Sequence, residues 1–419
     1  MNEHCNILIL SVTAGNGHNS AAAALKEEFD RQGVNCHIMD LFQYLSPLAA
    51  KLISDGYDHL TKRFRLVWKI GYGVALHDTT FKIPPRLIAS TSNLQSMQQY
   101  LIDQKITHVV FTHPFAGVLL QTLKQYQAIA IPTFGILTDF TIHPYWWDCT
   151  ENDYFILPHA DLIPAAEKNG FQRKQLKDFG IPVSSAFARH PEKMQVRTML
   201  GMPVNLPTVL VMGGGVGYGN LVKTVQEIDE HAKHPLQTIV VCGRNTESRD
   251  ELLQLQASGS FSHIVHIYGF THQVPLLMAA SDCIITKPGG ITTSEALSAS
   301  LPIVVSKPIP GQEEKNVEFL QQYDAICVPE KYRFSGMYAA DLLSPSLRGS
   351  GLKFCLLAID IYQSFVSLFT RERIEIFSHS TLPFTCNWSP SLRGSGLKFP
   401  NIAGSFSNFG CLPLYEGAD

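Results

Sequence analysis

The residues best suited to chemistry in this chain stand in short stretches that each follow an apolar run. The first is Ser11-Val12-Thr13-Ala14-Gly15-Asn16-Gly17-His18, between the run Ile7–Val12 and a helical pattern over Ser20–Arg31. Gly15 and Gly17 permit a tight turn and let a ligand approach the start of the helix. His18 then lies at the carboxyl end of the first strand, where open α/β sheets place their sites, and an imidazole near neutrality can act as a general base. A histidine that only caps the helix is the alternative. The Gly-x-Gly fragment lacks the third glycine of a dinucleotide fingerprint.

Three more stretches lie in the second half. Val209–Met212 runs into Gly213-Gly214-Gly215-Val216-Gly217, a loop that can offer N–H groups to an anion or simply make a tight strand-to-helix turn. The run Cys283–Thr286 feeds Lys287-Pro288-Gly289-Gly290-Ile291-Thr292-Thr293-Ser294-Glu295. Here Gly289 and Gly290 turn the chain, and free N–H groups with the hydroxyls of Thr292, Thr293 and Ser294 favour a phosphate. Glu295, one turn in, suits two ribose hydroxyls, since one carboxylate can accept from both; plain helix capping competes with this reading. After Ile303–Ser306, Gln312, Glu313 and Asn316 offer polar groups to sugar hydroxyls. Tyr268-Gly269-Phe270, continuing to Val274, supplies backbone groups and an apolar wall for a flat base.

The elements that must position these groups alternate. Buried runs at His108–Thr112, Phe134–Thr138, Tyr154–Leu157, Ile239–Cys242 and Ile264–Tyr268 join those already named, with helical segments such as Leu221–His231 between them. That rhythm predicts parallel sheets with helices on both faces, in two tandem series. The α/β chain therefore reads as two Rossmann-like domains facing across a cleft, residues 1–185 and 186–330, followed by an atypical serine-rich tail, 331–419. Within the tail the eleven residues Ser344–Phe354 (SPSLRGSGLKF) recur identically at Ser389–Phe399; two copies are too few for a solenoid. A nucleotide held by the second domain, with His18 presented by the first, places the reaction in the cleft.

Bulk properties narrow the classes. A net charge of −3 argues against a general nucleic-acid binder. Nine scattered cysteines without a C-x-x-C pair fit reduced thiols in the cytosol. No apolar stretch reaches about 18 residues, so membrane contact is expected to be peripheral. The segment Pro47–His77 interleaves Lys51, Lys62, Arg63, Arg65 and Lys69 with Leu60, Phe64, Leu66 and Trp68, a composition suited either to an anionic leaflet or to an ordinary amphipathic cover helix.

In combination these stretches resemble the monogalactosyldiacylglycerol synthase and processive diacylglycerol glucosyltransferase family, which is glycosyltransferase family 28-like and related to the peptidoglycan N-acetylglucosaminyltransferase. The resemblance spans roughly residues 5–329. It rests on Gly15–Ala22, Thr112-His113-Pro114, Thr138-Asp139-Phe140 with His143 and Trp146, Gly180–Val183, Gly213–Gly215, Lys287–Leu297 and Pro310–Asn316. It implies the GT-B fold and inverting transfer of a hexose from UDP-glucose or UDP-galactose, as co-substrate, to 1,2-diacylglycerol. It implies no cofactor and no obligatory metal, in keeping with the lack of an Asp-x-Asp motif. Gly289, Gly290, Thr292 and Glu295 would hold pyrophosphate and ribose, and Gln312 and Glu313 the donor sugar. Plant-type members carry an aspartate five residues before the motif histidine, where this chain has Thr13, so His18 or Asp139 must serve as base. The resemblance also implies that the Pro47–His77 region meets anionic lipid at the cytoplasmic face of a membrane. A UDP-sugar 2-epimerase, or an inactive sugar-nucleotide or lipid-binding protein, are the rival readings.

Overall fold

A computed structural model describes residues 5–13, 17–45, 89–189, 191–329, 336 and 339. The chain divides into compact units at residues 1–380 and 381–419, and every described residue lies in the first. The Pro47–His77 segment and both copies of the eleven-residue repeat fall outside the described residues.

The first half contains β1 (Asn6–Ser11), α1 (Gly17–Arg31), β2 (Asn35–Asp40), α2 (Leu41–Leu45), α3 (Thr91–Asp103), β3 (His108–Phe111), α4 (Pro114–Gln125), β4 (Thr133–Ile136), β5 (Tyr154–Ile156), α5 (Ile163–Lys168) and β6 (Leu176–Lys177). Its strands form one parallel sheet in the order β2-β1-β3-β4-β5-β6. The second half contains α6 (Lys193–Met199), β7 (Thr208–Met212), α7 (Leu221–His231), β8 (Gln237–Val241), α8 (Thr246–Ala257), β9 (Ile264–Tyr268), α9 (Val274–Ala280), β10 (Cys283–Thr286), α10 (Gly290–Ser298), β11 (Ile303–Val305) and α11 (Gln312–Gln321). These strands form a second parallel sheet, β11-β10-β7-β8-β9.

The burial pattern explains why the strands read as unbroken apolar runs. Ile7 to Leu10 are fully buried because β1 has a neighbour on each edge and helices over both faces. One continuous apolar cluster includes Leu8 and Leu10 of β1 together with Leu210, Ile284 and Ile326 of the second half, so the two halves share buried apolar packing. The carboxyl ends of the sheets face each other: Thr138, just past β4, meets Gly290 at the start of α10, and Phe140 meets Asn316 of α11. This is the cleft geometry that places a site where strands end.

Two boundaries differ from the sequence reading. Helix α1 begins at Gly17, three residues before the expected Ser20, so His18 lies within its first turn. The second folded half also extends past residue 330. Gly336 and Ala339 are helical, a Cβ on Gly336 would meet the carbonyl of Thr224 at 2.6 Å, and Ala339 is buried in the cluster of Val209, Val225 and Ile285.

Candidate active site

His18 is held by two threonines at strand ends. Its Nδ1 lies 2.6 Å from the carbonyl oxygen of Thr112 and 3.2 Å from the hydroxyl oxygen of Thr138. A carbonyl can only accept, so Nδ1 carries the proton and Nε2 keeps its lone pair. Burial lowers the ring's pKa from 6.5 to about 4, against the opposing pull of the Thr112 carbonyl. The imidazole is therefore neutral at physiological pH, in the tautomer a general base needs. Its ring meets that of His113 edge to face, with centroids 4.7 Å apart. Thr13 does not reach toward His18: its N–H and hydroxyl both donate to Asp40 at the end of β2, and its hydroxyl also accepts from Asn19.

Asp139 lies at the junction of the two halves. Its carboxylate accepts from Asn316 Nδ2 at 2.9 Å and from the backbone N–H of Gly290. Burial raises its pKa to about 6, against those bonds. Gly290 must be glycine here, because a Cβ would sit 2.0 Å from the Thr138 carbonyl oxygen. Gly17 also faces α10, where an added Cβ would meet Ile291 at 3.5 Å. Asn316 does not remain available for a sugar, as the sequence suggested. It is fully buried, its Oδ1 accepts from Phe140 N–H at 3.0 Å, and its Nδ2 also donates to the Pro288 carbonyl at 3.0 Å. Asn316 clamps the two halves together.

The glycine loop after β7 divides its work. Gly213 and Gly217 serve packing: a Cβ on Gly213 would strike the backbone of Tyr218 at 2.2 Å, and one on Gly217 the Cys242 carbonyl at 2.0 Å. The Gly215 carbonyl accepts from Arg244 N–H. Gly214, at φ +70°, has only the Lys287 side chain close by, at 3.3 Å. The Lys287 ammonium also lies 3.3 Å from a Cβ placed on Gly289. A fixed cation thus stands between the two glycine turns, ion-paired with the buried carboxylate of Glu313. The role of Lys287 was not legible from its own stretch, since its position depends on the meeting of two loops distant in sequence.

Helix α10 opens at Gly289 with no side-chain bond from that residue; the Gly290 N–H is taken by Asp139, and the N–H groups of Ile291 and Thr292 that follow it, at the turn beside Lys287, favour an anion. Of the three hydroxyls expected to help, only Thr292 stays half exposed. Thr293 is fully buried with no hydrogen-bond partner for its hydroxyl among the described residues, and Ser294 donates to the Gly290 carbonyl at 2.7 Å, so helical phase turns both toward the interior. Glu295 is half-buried without a hydrogen-bond partner among the described residues, and burial raises its pKa to about 8. A carboxyl group so placed is poised for hydroxyl donors.

The polar first turn of α11 is more committed than expected. Glu313 gives one oxygen to Lys287 and the other to the N–H of Ile309 at 2.7 Å, while Gln312 Nε2 donates to the Thr141 carbonyl at 3.1 Å. Phe270 stands 53% exposed after β9, with the Arg244 guanidinium 5.7 Å from its ring centre and Val274 half-buried nearby in sequence. Arg244 was absent from the sequence-based site, because a lone arginine in a loop carries no signal.

Comparison with known proteins bears on the family and the fold. Residues 18–183 match the family model for monogalactosyldiacylglycerol (MGDG) synthase, and residues 208–336 that for the glycosyltransferase family 28 C-terminal domain. A processive diacylglycerol beta-glucosyltransferase of Bacillus cereus is 30% identical over 332 residues, covering 77% of this chain and 81% of the relative. One from Bacillus licheniformis is 27% identical over 338 residues, covering 79% and 85%. Among solved structures, Acinetobacter baumannii MurG matches with a TM-score of 0.56 at 14% identity, covering 88% of this chain and 99% of that one. Anabaena HepE in complex with UDP-glucose matches at 0.54 and 14% identity, covering 90% and 100%. The two facing parallel sheets are the GT-B fold, and the chain belongs to the monogalactosyldiacylglycerol synthase and processive diacylglycerol glucosyltransferase family.

Proposed function

We propose that this protein transfers a hexose, glucose or galactose, from a UDP-sugar to the free hydroxyl of 1,2-diacylglycerol, with inversion at the anomeric carbon. The observation that carries the proposal is the meeting of a neutral, tautomer-fixed His18 with the start of α10 and Lys287 across one junction. A base on one side and an anion site on the other are what displacement of a diphosphate by a hydroxyl requires.

In this reading His18 Nε2 takes the proton of the glycerol hydroxyl as its oxygen attacks the anomeric carbon. The bond from that carbon to the diphosphate breaks, and its electron pair leaves with UDP. Lys287, the N–H groups at the start of α10 and the loop at Gly213, Gly214 and Gly215 meet the departing charge, with no metal invoked. Glu295 accepts from the ribose, Phe270 and Val274 flank the base with Arg244, and Gln312 and Glu313 border the sugar. Asp139, with its carboxylate committed to Asn316 and Gly290, holds the halves together and is the less suited base. The relatives' names support diacylglycerol as acceptor, and a HepE complex supports a UDP-sugar as donor. No described helix is long and apolar enough to cross a membrane; the basic and aromatic residues of Pro47–His77 are the proposed contact with anionic lipid at the cytoplasmic face.

Incubation of the protein with labelled UDP-glucose or UDP-galactose and diacylglycerol vesicles tests the proposal. Label in the lipid phase supports it. An epimerised nucleotide would indicate a 2-epimerase, and unchanged nucleotide that remains bound would indicate an inactive binder.

A further inference from the structure

Two histidines meet at the carboxyl edge of the first sheet, and the reaction outlined above uses one of them. His113 precedes α4, and its Nδ1 accepts the N–H of Phe115 at 3.2 Å. A ring nitrogen that accepts carries no proton, so in the neutral ring the proton is on Nε2. Burial, then the nearness of His18 and His143, holds the pKa of His113 well below 6.5 and keeps it neutral.

His18 has the opposite polarity. Its Nδ1 donates to the Thr112 carbonyl, which leaves Nε2 as an acceptor. Neither Nε2 has a hydrogen-bond partner among the described residues. One N–H donor and one lone pair therefore stand on rings in edge-to-face contact at 73°, each fixed by backbone groups within four consecutive residues, Thr112 to Phe115. A hydroxyl group, which donates once and accepts, is the complement of that pair.

Capping alone does not explain the pairing. His143 and His159 cap the turns that follow them in the same way, each accepting a backbone N–H at 3.2 Å. Their rings pack on Tyr145 and on Phe319 and Tyr323, respectively.

We infer that His113 is a second residue that binds the acceptor: its Nε2–H donates to the oxygen of the attacking hydroxyl and so turns the hydroxyl proton toward His18. The inference rests on the transferase reading above. The proton passes from the hydroxyl oxygen to His18 Nε2 as the new carbon–oxygen bond forms. His113 keeps its own proton throughout.

Two substitutions separate the cap from the donor. Asparagine places a side-chain oxygen near the position of Nδ1 and is among the best N-cap residues. Glutamine places an amide N–H near the position of Nε2 and gives up the cap. With UDP-glucose and vesicles containing 1,2-dioleoylglycerol, His113→Asn should keep the wild-type melting temperature and UDP affinity. Its turnover should fall about 10–100-fold, the range for losing a hydrogen bond to a developing negative charge. His113→Gln should melt a few degrees lower yet keep turnover within several-fold of wild type at a temperature where it is folded. A fully active His113→Asn protein, or a His113→Gln protein as slow as His113→Asn, overturns the inference while the transferase reading stands. A wild-type protein that forms no glycolipid overturns both.

Discussion

Asn316 offers a sharp test of how the cleft is held together. The side chain is fully buried and makes three hydrogen bonds, two of them to residues of the first half or the turn before α10 and one to the Asp139 carboxylate. Asn316→Ala removes a bond to a charged group, about 2 kcal/mol, and orphans the Phe140 N–H and the Pro288 carbonyl, about 1 kcal/mol each. The expected loss is therefore about 4 kcal/mol, large against the 5–15 kcal/mol that typical proteins hold. Asn316→Leu should cost nearly as much, since it restores volume but not the bonds. The pH dependence follows with its sign. The bond from Asn316 lowers the Asp139 pKa, which burial sets at about 6, so its loss moves that pKa higher still. The charged bond exists only above about pH 6, and the gap between variant and wild type should be wider at pH 8 than at pH 5. Urea denaturation at both pH values, with stability taken from midpoint and slope, measures this. A loss under 1 kcal/mol, or a gap that does not change with pH, would refute the clamp.

Other outcomes follow from the same geometry. Glu295→Gln should weaken UDP-sugar binding by about 1.5–3 kcal/mol. Because the free carboxyl titrates at about 8 and ribose donors favour its ionised form, wild-type affinity should rise with pH up to about 8 and the variant should lack that rise; calorimetry in two buffers reads the released proton. His18→Ala should lower turnover about 10²–10⁴-fold with UDP affinity kept. At saturating substrate, wild-type turnover should hold through pH 6 and fall only toward pH 4, where His18 protonates; a fall through pH 6 that Asp139→Asn abolishes would transfer the base to Asp139. Gly290→Ala should cost about 1–3 kcal/mol by overpacking against Thr138, while Gly201→Ala, with nothing within 4 Å but φ at +68°, should cost through backbone strain alone; thermal melts compare the two. Replacing Lys62, Arg63, Arg65 and Lys69 by glutamine should weaken binding to anionic vesicles by up to about 4 kcal/mol, and equal sedimentation with neutral vesicles would return that segment to the role of a cover helix.

The strands that position the site were legible because central parallel strands are buried on both faces and announce themselves as apolar runs. Ile264–Tyr268 and Cys283–Thr286 coincide with the expected bounds, and β1 is displaced by one residue. The edge strands β2 and β6 were not singled out, since Asn35–Asp40 carries Asn35, His37 and Asp40 and is no apolar run, and Leu176–Lys177 is two residues long. The turn at Gly289 could be read from its own loop, and His18 was singled out from its own stretch, although the Thr112 and Thr138 that hold it are distant in sequence. Residues whose role arises from approach of distant loops could not be read that way. Asn316 carried the same polar signal as a sugar ligand, Lys287 is flanked by Gly214 and Glu313 only in three dimensions, and Thr293 differs from Thr292 by one step of helical phase.

In the proposed reaction His18 and the start of α10 bring a lipid hydroxyl and a UDP-sugar together. Its most direct test is to supply UDP-glucose and UDP-galactose separately with diacylglycerol vesicles and to analyse the lipid phase by proton NMR, for wild type and His18→Ala in parallel. The expected product is a glycolipid whose anomeric proton reports a β linkage, inverted from the donor, formed by the wild type and suppressed in the variant. An α-linked product, or a glycolipid formed equally well without His18, would contradict it.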